Sequence, residues 1–205
     1  GMTRGWSDAA GRAVSPSVKL TGGEPFLRRD LFDILAALNE RRIAVHLITN
    51  GVLINADRAR MLADLRIREV QIAIDGPEEV HDDLRGPGSL LATTIGSERL
   101  VDATVPVTLT VALSAANAGE VKKVVALGSH LGVRRIRFQR FTPYGRGAGM
   151  RHLMLDAGRL REIYESLLGL ELKGTAIAIN DPLVLPLSGN ANGDAGDTIV
   201  SGCAA

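Results

Sequence analysis

The stretch from Val18 to Pro25, VKLTGGEP, puts a carboxylate directly after two residues that have no side chain. Val18 and Leu20 suit a strand, whereas Gly22, Gly23 and Pro25 cannot continue one, so the strand ends at Thr21 and Glu24 sits on bare backbone. Glycines let a ligand approach the main chain, Pro25 fixes the exit, and Arg29-Asp30-Leu31 opens a helical pattern. This is the chemistry of a small-molecule site. An ordinary strand-to-helix turn with a solvated glutamate would use the same residues.

Other strand ends carry usable groups. Thr49-Asn50-Gly51 follows a second apolar run and Asp75-Gly76-Pro77 a third. In parallel sheets ligands bind at the carboxyl ends of strands, although Asn-Gly and Asp-Gly are also common turns. Between 78 and 89 the spacing predicts a long loop with His81, Asp82 and Arg85. Arg85 suits a carboxylate in fork geometry, or a surface salt bridge to Asp82 or Asp83. In RRIRFQR, alternation sets Gln139 on the same face as Arg135 and Arg137. Aromatic content of 3% leaves little for base stacking, which argues against a nucleic-acid partner. His46, His81, His130 and His152 show no metal-ligand spacing, and Arg146 reads as a substrate contact or a solvated turn residue.

The elements that must position these groups alternate. Strand-like runs at 17–21, 43–49, 69–75, 106–113 and 134–140 are separated by helical patterns at 29–41, 55–66, 89–103 and 117–131, and another helix follows at 156–168. That order predicts parallel β-α units in a barrel-like or doubly wound sheet. Strands covered on both faces should be apolar almost throughout, yet Gln71, Ala73 and Asp75 alternate with Val70, Ile72 and Ile74, and Thr108, Thr110 and Ala112 with Val107, Leu109 and Val111. The pattern predicts a wide parallel barrel with a polar, wet lumen. Edge strands with polar faces toward solvent are the alternative. After 170 the pattern breaks: GTAIAIND is one more possible short strand, PLVLP is too short for a helix, and SGNANGDAGD is loop-like.

The totals bound the class. A chain of 205 residues, 45% hydrophobic, holds one sizeable core. With 24 Lys and Arg against 23 Asp and Glu, the net charge of +1 advertises neither nucleic acid nor membrane. No apolar run reaches the length of a membrane span and no signal peptide is legible, so a cytoplasmic protein is expected. Gly1 before Met2 reads as an expression-tag scar. The single cysteine, Cys203, cannot by itself hold a cluster.

Taken in order, VKLTGGEPFLRRDL, HLITNG, VQIAIDGPEEVHDDLRGPGS and IRFQRFTPYGRGAG resemble the radical S-adenosylmethionine (SAM) enzymes, nearest to those with a C-terminal SPASM or twitch extension, such as peptide maturases and haem-pathway enzymes. The resemblance implies an α/β fold, a partial (β/α)6 TIM-like barrel lacking its first strand and cluster loop. It implies that Gly22, Gly23, Glu24 and Pro25 hold the methionyl end of SAM, with Glu24 meeting the ammonium. Asn50, Asp75 and Gln139 would line the ribose and adenine, and Arg85 is a candidate for the carboxylate. Where related sequences often have a serine near the ribose, this chain has Ala73.

The family's C-x3-C-x2-C loop, which ligates a [4Fe-4S] cluster, is absent from these residues. By the resemblance, the run at 17–21 is family strand two, residues 1–16 are tag scar and the tail of the first barrel helix, 17–170 the partial barrel, and 171–205 a linker and the start of an auxiliary-cluster domain with Cys203 as first ligand. The expected function is that of a piece of an enzyme that cleaves SAM to a 5′-deoxyadenosyl radical and modifies a peptide or tetrapyrrole-like substrate, the piece itself being inactive. Expected partners are SAM and that substrate, with no nucleic acid or membrane, and the exposed edge at 17–21 allows a dimer. A cluster-less nucleotide- or partner-binding remnant and an unrelated polar-lumen barrel enzyme that takes phosphate are the alternatives.

Overall fold

The structure is a computed structural model and describes residues 6–7, 13–14, 16–184 and 198–200. Seven strands form one parallel sheet in sequential order: β3 (Ser17–Leu20), β4 (Ala44–Thr49), β5 (Glu69–Ala73), β6 (Val107–Leu113), β7 (Arg135–Arg140), β8 (Ala176–Ile179) and β9 (Thr198–Val200). The sheet is open, with β3 at one edge. Helices α1 (Leu31–Glu40), α2 (Ala56–Asp64), α3 (Glu78–Arg85), α4 (Ser89–Asp102), α5 (Val121–His130) and α6 (Ala157–Leu168) lie between or after the strands. This is the α/β partial barrel that the alternation predicts.

Register explains the two faces. Lys19, His46 and Glu69 stand side by side across β3, β4 and β5, Gln71, Thr108 and Arg135 across β5, β6 and β7, and Ala73, Thr110 and Arg137 one step further on. These rows make the polar lumen. On the opposite face Leu47, Val70, Ile72, Leu109, Ile136 and Phe138 are fully buried and form one core with Leu35, Leu62 and Leu100 of the helices. Helix-to-strand turns are tight: Arg42, Arg66 and Thr104 take left-handed backbone at the same place where Gly132 does, just past a helix end.

The structure corrects several expectations. Within residues 1–16, expected to hold the tail of a helix, the described residues are strand: β1 (Trp6–Ser7) and β2 (Ala13–Val14) pair antiparallel, and β-branched Val14 suits a strand. Residues 78–85 are a helix, α3, with Pro77 at its start, Glu78 and Glu79 in the first turn and Arg85 in the last. The flanking Gly76-Pro77 and Gly86-Pro87 make that segment look like a loop in sequence. α5 begins at Val121, after a turn that the periodicity assigns to the helix. β8 and β9 join the same sheet, so the barrel does not stop at 170.

One carboxylate is buried inside the lumen. Glu69 is 7% exposed and accepts hydrogen bonds from Gln71 Nε2 at 2.7 Å and from Thr108 Oγ1, with His46 Nδ1 at 3.1 Å. Burial alone would raise its pKa; the hydrogen bonds from Thr108, Gln71 and His46 and the charge of Arg137 outweigh burial and bring it down from 4.5 to about 2. A depressed carboxyl stabilises the fold above its unfolded pKa, and that contribution is lost as pH falls through the folded value. Thermal midpoints should therefore drop between pH 4.5 and pH 2, and the drop should be shallower in Glu69→Gln. Parallel pH profiles for the two proteins would show the assignment to be wrong.

Candidate functional site

The carboxyl ends of β3 and β4 are tied together through Glu24. Its Oε1 accepts from Thr49 Oγ1 at 2.7 Å and from the Phe26 N–H at 3.1 Å, and its Oε2 accepts from the Asn50 N–H at 2.8 Å. Glu24 thus caps the short 3-10 turn Pro25–Leu27 and ties it to the end of β4. A carboxylate offers about four acceptor sites; three are used. Beside it, a Cβ added at Gly22 or Gly23 would stand in open space, so the backbone there is accessible from the mouth of the sheet.

Asn50 is held on three sides. Its N–H goes to Glu24, its carbonyl accepts from Thr93 Oγ1 at 2.9 Å, and its Oδ1 accepts from the Val52 N–H at 3.0 Å, which leaves the side-chain amide N–H groups to point outward as donors. Gly51 is left-handed at φ +81, and α4 lies so near that a Cβ on Gly96 would come within 2.2 Å of the Gly51 carbonyl oxygen. α4 therefore supports the turn from behind.

Asp75 is 6% exposed and lies past the end of β5. Arg85 Nε donates to its Oδ2, so Arg85 meets Asp75 rather than Asp82 or Asp83. The helix makes this possible, since His81 and Arg85 lie four residues apart and share one face. His81 Nδ1 accepts the Asp75 N–H at 3.1 Å. Burial depresses the His81 pKa against the pull of the Asp75 charge; with Nδ1 accepting, the ring's proton is on Nε2, a buried atom with no hydrogen-bond partner among the described residues. Asp82 instead caps α4, accepting from Ser89 Oγ at 3.0 Å and the Leu90 N–H at 2.8 Å.

Further round, Gln139 on β7 is half-buried on the face shared with Arg137, and its side chain makes no hydrogen bond among the described residues. Thr110 Oγ1 and Ser114 Oγ are buried without hydrogen-bond partners among the described residues. The structure therefore brings Glu24, Asn50, Asp75 and Gln139 to one end of the sheet, with two glycines at its rim. Cys203 lies outside the described residues. Asn117 escapes a motif reading: Nδ2 donates to the carbonyls of Asp75 at 2.8 Å and Ala112 at 2.9 Å, and Oδ1 accepts from the Ser114 N–H at 2.8 Å. It staples the ends of β5 and β6. Its only signal in sequence is an Asn in the turn after a strand.

Residues 8–128 match the model of the radical SAM superfamily. The chain belongs to the radical SAM superfamily. It is 33% identical over 134 residues to an AdoMet-dependent heme synthase of Methanosarcina barkeri, covering 64% of this chain and 38% of that protein. It is 34% identical over 133 residues to the mycofactocin maturase MftC of Mycobacterium ulcerans, covering 64% and 36%. Among solved structures, Streptococcus suis SuiB bound to S-adenosylmethionine superposes with a TM-score of 0.69 at 16% identity, over 82% of this chain and 40% of SuiB. The chain spans less than half the length of the curated relatives it matches. The fold likeness covers the open parallel barrel of the radical SAM chain described above.

Proposed function

We propose that these residues form the SAM-binding part of a longer enzyme that reductively cleaves SAM to a 5′-deoxyadenosyl radical and modifies a peptide or tetrapyrrole-like substrate. The observation that carries it is the Glu24 carboxylate held at the sheet's mouth with one acceptor site to spare, beside glycine backbone open on that side. SAM presents an ammonium for such a carboxylate, and a ribose and adenine for polar groups of the kind found at Asn50, Asp75, Thr110 and Gln139. The unpartnered Thr110 hydroxyl and Gln139 amide fit a ligand rich in hydrogen-bonding groups. Arg85, engaged with Asp75, acts here by orienting that carboxylate rather than by meeting the ligand.

The [4Fe-4S] cluster is a different case. Reductive cleavage of SAM is chemistry that the cluster supplies when bound, and its site needs three thiolates, whereas this sequence holds one cysteine. Among the described residues no group of His, Cys, Asp and Glu is arranged to hold a metal ion. The residues given do not fit the cluster, and no radical step is assigned to them. Cys203 is proposed as a ligand of an auxiliary cluster in the longer protein.

Two measurements test the reading. This chain should bind SAM weakly in calorimetry and, with iron, sulfide and dithionite, make no 5′-deoxyadenosine. A longer chain carrying a C-x3-C-x2-C loop ahead of β3 should bind more tightly and make it. Absence of any SAM binding by either form would overturn the proposal, as would 5′-deoxyadenosine production by this chain alone. No helix among the described residues is long and apolar enough to cross a membrane.

A further inference from the structure

At the other end of the lumen, where the strands begin, a cavity of about 490 Å³ is lined by Lys19, Arg68, Arg134, Arg135, Arg137 and Glu69. Glu69 and Arg135 are the first residues of β5 and β7, whereas Asp75 lies beyond the carboxyl end of β5. At a rise of about 3.3 Å per residue the two ends stand roughly 20 Å apart. Lys19, Arg68, Arg134 and Arg135 therefore stand toward the amino end, away from Glu24, Asn50 and Asp75, while Arg137 and Asn180 carry the cavity wall up toward Gln139.

Its charge is unbalanced: five cationic side chains meet one carboxylate, and that carboxylate already accepts from Gln71, Thr108 and His46. Arg135 and Arg137 approach the same Glu69 oxygen only to 3.6 and 3.8 Å, beyond hydrogen-bond range, so Glu69 offsets their charge without filling their donors. Arg135 Nε is buried with no hydrogen-bond partner among the described residues. Lys19, Arg68 and Arg134 form no ion pair among the described residues. A buried donor without a partner costs stability that a ligand can recover. Guanidinium forks match the oxygens of phosphate and carboxylate groups, and a cleft lined by one sign of charge concentrates counter-ions. The volume lies within the range of small-ligand pockets.

We infer that the amino end of this lumen binds a small, multiply charged oxyanion, a phosphate or a polycarboxylate, held by the guanidinium groups of Arg135 and Arg137 and by Lys19 and Arg68 at the rim. Glu69, on β5, faces both arginines of β7 from across β6, and its hydrogen bonds to Gln71, Thr108 and His46 hold it there.

The test is calorimetric titration of the full chain with inorganic pyrophosphate and, separately, with citrate, at low ionic strength. One saturable site should appear for at least one of them, and the stronger binder tells a phosphate ligand from a carboxylate one. The double variant Lys19→Gln, Arg68→Gln removes exposed groups that hold no ion pair, so it should fold normally and lose about tenfold or more in affinity. Saturating SAM should leave that affinity unchanged, because the groups proposed to hold the anion at the rim, Lys19 and Arg68, stand at the amino end, away from Glu24, Asn50 and Asp75. The inference fails if neither anion binds saturably, if the double variant binds as tightly as the parent, or if SAM competes with the anion. Failure of SAM to bind would count against the proposed function alone and leave this result standing.

Discussion

Replacing Gly96 with alanine should destabilise the protein by about 3 kcal/mol in urea unfolding, the upper part of the range for overpacking a tight core. The sign is what makes the test sharp. Inside an ordinary helix, glycine to alanine gains up to ~1 kcal/mol, because alanine loses less backbone entropy and has the higher helix propensity. Gly96 lies within α4, so propensity alone predicts stabilisation. The added methyl would stand 2.2 Å from the Gly51 carbonyl oxygen and 3.3 Å from Ile54 Cβ. The first of these is a backbone atom, in a turn pinned by the Ile54 N–H to Gly51 carbonyl bond at 3.1 Å and by the left-handed Gly51. Neither can swing aside like the end of a flexible chain, so α4 must move as a body. That movement would also disturb the bond from Thr93 Oγ1 to the Asn50 carbonyl, so affinity for SAM should fall along with stability. Gly119→Ala, where a methyl meets nothing within 4 Å, is the control. If Gly96→Ala matches or exceeds the parent in stability, the close approach of α4 to the site turn is wrong.

Much of this arrangement was legible in sequence, for a physical reason. A lumen face and a helix-covered face impose period-two alternation on β5, β6 and β7, and that alternation is printed in Gln71 against Ile72, Thr108 against Leu109 and Arg137 against Phe138. Strand ends are marked by Gly-Gly-Glu-Pro, Asn-Gly and Asp-Gly, so the residues gathered at that end of the sheet could be named in advance. What stayed hidden was α3, where Gly-Pro pairs on both sides outweigh a helix of only eight residues. With the helix went the geometry: a loop gives no reason for Arg85 to reach Asp75 or for His81 to take the Asp75 N–H. Gly96 and Asn117 were equally silent. Each acts through a neighbour remote in sequence, Gly51 for the one and Asp75 for the other, and no local pattern encodes a contact of that range.

Glu24→Gln should weaken SAM binding by about ten- to 150-fold, the equivalent of the ~1.5–3 kcal/mol carried by a hydrogen bond to a charged group. A second effect should appear in the same variant with no ligand present. Glu24 accepts backbone N–H groups on both oxygens, from Phe26 on one and from Asn50 on the other. An amide accepts on one side only, so whichever way the substituted side chain turns, its NH2 faces one of those two N–H groups, donor against donor. The Thr49 hydroxyl can rotate to accept; a backbone N–H cannot. Unfolding free energy should fall by about 1–3 kcal/mol, the cost of leaving one such group unsatisfied. Calorimetry run well below the variant's midpoint separates the two losses, because weakened folding does not by itself alter the affinity of the molecules that are folded. Lower stability with unchanged affinity would make Glu24 a strut for the turn and remove it from the ligand. A loss in both would give this one carboxylate two roles: three of its acceptor sites hold the ends of β3 and β4 together, and the fourth meets the ammonium that they are placed to receive.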